Sequence, residues 1–122
     1  MSTIKKILII DDDQAVSAAI AETISHLGHE VVLAKNGKEG MDCLINNPSL
    51  PDLIILDLFL PVMNGAEFRA RQLQIPYLVH IPVLAMSADC CIKQRCGPLH
   101  LKNFLKKPFL VDDLINMIET LT

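Results

Sequence analysis

The sequence has no apolar run long enough to cross a membrane. Its longest is interrupted by Asp57 and Pro61, well short of the roughly 20 residues a spanning helix needs. The N-terminus, MSTIKK, leads into ILII and then at once into aspartates. It therefore lacks the apolar core and cleavage site of a secretory signal, and a cytoplasmic location is expected. Positive charge is not in excess either: 11 Lys and Arg against 14 Asp and Glu leave a net charge of −3. That balance argues against direct nucleic-acid binding through the overall field. No internal repeat, linker or low-complexity segment is present. Four cysteines occur, but Cys90 and Cys91 are adjacent and awkward to bridge, and a reducing cytosol keeps all four as thiols. The spacing C-C-x4-C-x3-H of Cys90, Cys91, Cys96 and His100 matches no common zinc finger. What remains is a 122-residue chain, 51% hydrophobic and 20% charged, expected to form one globular domain over 1–122.

Short apolar segments alternate with segments of helical period, the pattern of an α/β fold with a parallel sheet. Strands are predicted at Lys6–Ile10, Glu30–Ala34, Leu53–Asp57, Pro82–Met86 and about Asn103–Lys106. The first helix should be capped by Asp13, bury Val16, Ile20, Ile24 and Leu27, and end at Gly28. A second should run from about Gly37 to Asn46 with Met41, Leu44 and Ile45 inward, stopping at Pro48. A third follows 61-PVMNG-65, where Asn64-Gly65 reads as a turn and helix start. The last begins near Val111 and should bury Leu114, Ile115, Ile118 and Leu121. Met41, Met63, Met86 and Met117 read as packing residues. The expected architecture is a doubly wound five-stranded parallel sheet, order 2-1-3-4-5, with helices on both faces.

Parallel crossovers bring every strand's carboxyl end to one edge of the sheet, where open α/β sheets bind ligands. Asp11 and Asp12 follow strand one, Asp57 closes strand three, Ser87 follows strand four and Lys107 follows strand five. By strand alternation Lys106 should point elsewhere. Two carboxylates about 4 Å apart at a partly shielded site repel by roughly 4 kcal/mol. A hard divalent cation would remove that repulsion, and Mg²⁺ takes oxygen ligands while keeping positions open for water and phosphate. With Lys107 as a compact cation and Ser87 as a hydroxyl donor, the set has the parts of a phosphoryl-transfer site in which one aspartate is the nucleophile.

Taken in order, Asp11-Asp12 after ILII, Asp57 in LIILDLFLPVMNG, Ser87-Ala88 after PVLAM and Lys107-Pro108-Phe109 make the chain resemble, over essentially its whole length, the receiver domain of bacterial two-component response regulators. The resemblance implies that Asp57 accepts a phosphoryl group from a sensor histidine kinase or phosphotransfer protein. Mg²⁺ would be held by Asp11, Asp12, Asp57 and the backbone carbonyl of Phe59. It also implies that Lys107, before a cis Lys–Pro bond, contacts the phosphoryl group. Ser87 and Phe104 would then act as the switch pair. Output would use the face of helix four, strand five and helix five. Phe59 and Asp89 stand where the family sets its dephosphorylation rate. An apolar Phe59 cannot orient water, so slow self-dephosphorylation is expected unless Asp89 acts in the opposite sense.

The sequence departs from the family pattern in 89-DCCIKQRCGPLHLKN-103. Gly97-Pro98 should stop the fourth helix early, leaving it short or irregular, and Leu99, His100 and Leu101 stand where smaller residues are usual. Two rival functions keep parts of the pattern. One is a binding module with this fold that does not depend on phosphorylation. The other, remote, is a haloacid-dehalogenase-like phosphatase attacking through Asp11, although 11-DDDQA-15 ends in Ala15 and Asp112-Asp113 begin a helix. Because the sequence ends just after the last helix, a stand-alone regulator is expected.

Overall fold

Two interleaved sets of strand side chains, one for each face, organise the molecule. The computed structural model describes residues 4–60 and 62–122; Met1–Thr3 of the N-terminal segment and Pro61 of the PVMNG turn lie outside them. The elements are β1 (Lys6–Ile10), α1 (Gln14–His26), β2 (Glu30–Ala34), α2 (Gly37–Asn46), β3 (Leu53–Asp57), α3 (Gly65–Gln74), β4 (Val83–Ser87), α4 (Ile92–Cys96), β5 (Asn103–Lys106) and α5 (Val111–Leu121), with a 3-10 turn at Gly97–Leu99. All neighbouring strands are parallel, in the order β2-β1-β3-β4-β5, as the sequence predicts.

Successive strand residues point to opposite faces, so Ile7, Ile9, Leu53, Ile55, Leu84 and Met86 pack with Ile20 and Ile24 of α1 and Leu114 and Ile118 of α5. Leu8, Ile10, Ile54, Leu56, Val83 and Ala85 pack on the other face with Met41 and Leu44 of α2, Phe68 of α3 and Ile92 and Cys96 of α4. Burial on both faces explains why β3 and β4 are continuously apolar, where a one-sided strand would alternate. Each such side chain contributes about 1.5–3 kcal/mol. Among the described residues no helix is long and apolar enough to cross a membrane.

The helix ends follow local chemistry. Asp13 Oδ1 accepts the backbone N–H groups of Ala15 and Val16, and Gly28 takes φ +91° beyond the end of α1. Asn64 and Glu67 form a reciprocal capping box at α3. Some expectations shift. Leu27 and Ile45 are exposed, because Leu27 lies just past the end of α1 and Ile45 in the last turn of α2. Val16, Ile115 and Leu121 are only half-buried. β4 begins one residue later than predicted and includes Ser87.

The fourth helix is short, as expected. Its five residues pass through Gly97-Pro98 into the 3-10 turn, which ends at His100 in the left-handed conformation, φ 56°. A polar network that runs from the surface at Arg69 to the buried Gln72 supports this segment. Arg69 of α3 donates from Nε to the Leu99 carbonyl and from Nη2 to the His100 carbonyl. Its Nη1 donates to Gln72 Oε1, and Gln72 Nε2 donates to the carbonyls of Leu78 and Ile81. Gln72 is fully buried.

Candidate functional site

The strand ends meet as the topology requires. Asp11 leaves β1 with its N–H on the Ala34 carbonyl and its side chain buried. Its Oδ1 accepts the Asp13 N–H at 2.9 Å and its Oδ2 accepts Lys107 Nζ at 2.8 Å. Asp57, the last residue of β3, accepts the Phe59 N–H on Oδ1 at 3.0 Å and Lys107 Nζ on Oδ2 at 3.1 Å. Lys107 is held by its own N–H on the Ser87 carbonyl at 2.8 Å, and the Lys107–Pro108 bond is cis. One ammonium thus bridges residues 96 and 50 positions distant in sequence. Lys106 is exposed, as alternation predicts. Asp12 is exposed, yet carboxylate oxygens of Asp11, Asp12 and Asp57 all lie within 4.8 Å of one another.

Burial sets the electrostatics. It pushes the Asp57 carboxyl above its ordinary value; the Phe59 N–H and Lys107 oppose this, and Asp11 reinforces it. Burial alone would lower Lys107, but its hydrogen bond to Asp11 and the charge of Asp57 outweigh that, and the ammonium is held above the ordinary lysine value. When ionised, three carboxylates against one ammonium leave two negative charges. The donors are all oxygen and lie close to the roughly 4.2 Å that spans a magnesium ion's ligand shell at about 2.1 Å per bond. The residues therefore fit a hard divalent cation, whereas a soft one would favour sulfur or nitrogen.

Ser87 is buried at the end of β4, where its Oγ accepts the Asp89 N–H at 3.0 Å. Phe104 is half-buried in β5, beside Ala85 of β4, and packs on the α2–α3–α4 face. The cysteine and histidine set is not gathered. All four cysteines are free, Cys96 is buried, and exposed Cys90 and Cys91 group with Asp89 rather than with Cys96 or His100.

Arg95 escaped the sequence reading. Its Nε donates to Asp89 Oδ2 at 2.8 Å, and its guanidinium lies 5.6 Å from the centroid of the Phe59 ring. No periodic signal marks it, because six residues across an irregular loop correspond to no helical or strand repeat. A cavity of about 670 Å³ has Asp12, Phe59, Asn64 and Arg95 in its lining, so Arg95 and Phe59 share a cavity with Asp12.

A doubly wound parallel sheet with polar and charged side chains gathered at the carboxyl ends of its strands defines the open α/β class, whose ligand sites lie at that edge. Within that class, residues 7–119 match the family described as response regulator receiver domain. Response regulator MprA from Mycobacterium sp. (strain KMS) is 32% identical over 118 residues, covering 95% of this chain and 50% of that protein. A putative response regulator from Chloroflexus aurantiacus superposes with a TM-score of 0.89 at 27% identity, covering 98% of both chains. The phosphorylated cyanobacterial phytochrome response regulator RcpA gives 0.81 at 31%, covering 97% of this chain and 91% of the other. The chain belongs to the response regulator receiver domain family of two-component signalling. It spans about half the length of the curated relatives it matches.

Proposed function

We propose that the chain is a phosphoacceptor receiver, taking a phosphoryl group from a histidine kinase or phosphotransfer protein onto Asp57. The observation that carries this reading is Lys107 Nζ held at once by Asp11 and Asp57. It gives the acceptor carboxylate a fixed orientation and a cation beside the oxygens where charge accumulates. In the transfer an Asp57 oxygen forms the new bond to phosphorus as the phosphorus–nitrogen bond of the donor histidine breaks. Asp11, Asp12, Asp57 and the Phe59 carbonyl would hold Mg²⁺, which supplies charge neutralisation when bound. Once Asp57 carries phosphate, the Ser87 hydroxyl is a donor for it, and its movement vacates space for Phe104. The switch is a population shift limited by how much better phosphate bonds one arrangement than the other. Output through α4, β5 and α5 belongs to the same proposal; direct nucleic-acid contact does not.

Incubation with a small-molecule phosphodonor and Mg²⁺, followed by intact-mass measurement, tests this. The mass should rise by one phosphoryl group, and chelation or Asp57→Asn should abolish the gain. An unchanged mass would instead favour the phosphorylation-independent module. Uptake retained by Asp57→Asn but lost with Asp11→Asn would favour a phosphatase-like nucleophile.

A further inference from the structure

Two short loops carry the residues that flank the acceptor, and a single guanidinium joins them. After β3 the Phe59 N–H turns back onto Asp57 Oδ1 at 3.0 Å, and after β4 the Asp89 N–H turns back onto Ser87 Oγ at 3.0 Å. Arg95 then spans the gap, with Asp89 Oδ2 2.8 Å from its Nε and its Cζ over the Phe59 ring, 5.6 Å from the centroid. The other Asp89 oxygen accepts the Cys91 N–H at 2.8 Å. Each oxygen of the Asp89 carboxylate therefore already accepts one hydrogen bond, which fixes the direction in which the group points.

We infer that Arg95 is a positioning residue that prolongs the phosphorylated state by withholding Asp89 from an attacking water. This rests on Asp57 being the acceptor. Hydrolysis of the aspartyl phosphate forms a bond from water oxygen to phosphorus and breaks the bond from phosphorus to Asp57. The carboxylate leaves with the electron pair, and the water's proton passes to a base or to solvent. Turned toward the acceptor, Asp89 would orient that water and take its proton; the Cys91 N–H and Arg95 hold it in another orientation. The Cys91 N–H and Arg95 also hold its carboxyl below the ordinary value, and a less basic group is a poorer proton acceptor. The same guanidinium lies against the Phe59 ring, whose apolar surface offers water no hydrogen bond. Arginine suits this task because its flat fork can bind a carboxylate and stack on a ring together.

The test follows loss of the phosphoryl group by intact mass after the donor is removed. Arg95→Ala should accept phosphate as the wild type does yet lose it about fivefold faster or more, because a positioned base typically contributes 10²- to 10⁴-fold. Adding Asp89→Asn to Arg95→Ala should restore the wild-type lifetime, an outcome that mere loosening of the loop would not produce. Arg95→Lys, which keeps the charge without the fork, should be intermediate and covers the case in which alanine disturbs folding. Equal lifetimes in wild type and Arg95→Ala would overturn the inference, as would equally short lifetimes in Arg95→Ala and the double variant. NMR reads the clamp with no phosphodonor present. The Arg95 Nε–H should exchange with water more slowly than that of exposed Arg71, and Asp89→Asn should abolish the difference. Identical exchange would reject the clamp. A wild type that takes up no phosphate would instead reject Asp57 as acceptor.

Discussion

Lys107 is the residue on which the site's charge balance turns. Its ammonium is largely shielded and lies within hydrogen-bond distance of two carboxylates. Without it Asp11 and Asp57 would face each other at a separation where partly shielded like charges repel by roughly 4 kcal/mol. Lys107→Ala should therefore slow phosphorylation of Asp57 by about 10²-fold, the effect typical of removing one charge-stabilising donor. The time course of mass gain measures this, and an unaltered rate would remove Lys107 from the proposed chemistry. Lys106, which points away, provides the control. Asp13 shows the opposite lesson. It belongs to the same acidic run, yet both helix-start N–H bonds on its Oδ1 make it a cap.

The irregular passage from β4 to β5 is a case of an element stabilised from outside itself. Five α-helical residues form too short a helix to persist alone. α4 gains its place from Ile92 and Cys96 in the core and from Arg69, which takes up the free carbonyls of the 3-10 turn. Arg69 depends in turn on Gln72, whose amide also satisfies two carbonyls leading into β4. Replacing Gln72 by Met keeps the volume but removes its donor from the Ile81 carbonyl and its acceptor from Arg69, while the Leu78 carbonyl keeps the Ile81 N–H. It should cost about 1–3 kcal/mol, seen as a lower urea midpoint with unchanged slope, and should loosen amide exchange around Leu99 and His100. Gly97-Pro98 made the early stop of this helix legible. The role of Arg69 was not legible, because its acceptors are backbone carbonyls 30 and 31 positions away, and every residue type supplies the same carbonyl.

For the molecule as a whole, the site is a source of instability that a ligand can relieve. Burial raises Asp57 above its ordinary 3.8, so the folded chain holds that proton more tightly than the unfolded one. The contribution of Asp57 to stability is then greatest below 3.8 and is lost as pH rises through the raised value. In metal-free buffer, wild type should lose stability relative to Asp57→Asn as pH climbs through that window. Mg²⁺ should recover the difference by binding only the folded form. Denaturant melts of both proteins over pH, with and without Mg²⁺, measure this. A difference that widened in favour of the wild type as pH rose without metal would contradict it. The two apolar layers on either side of the sheet supply the stability that lets such a cluster exist.

Alternating runs of apolar and helical period were enough to define five strands, their order and the edge at which Asp11, Asp57, Ser87 and Lys107 gather. Side-chain direction in a buried strand follows from a period of two, and parallel crossovers leave one arrangement for the ends. Contacts between loops carry no such period. Only the folded chain revealed that Arg95 occupies Asp89 and lies on Phe59, and that Gln72 and Arg69 support a truncated helix. Those partners are set by distances across gaps that separation along the sequence does not encode.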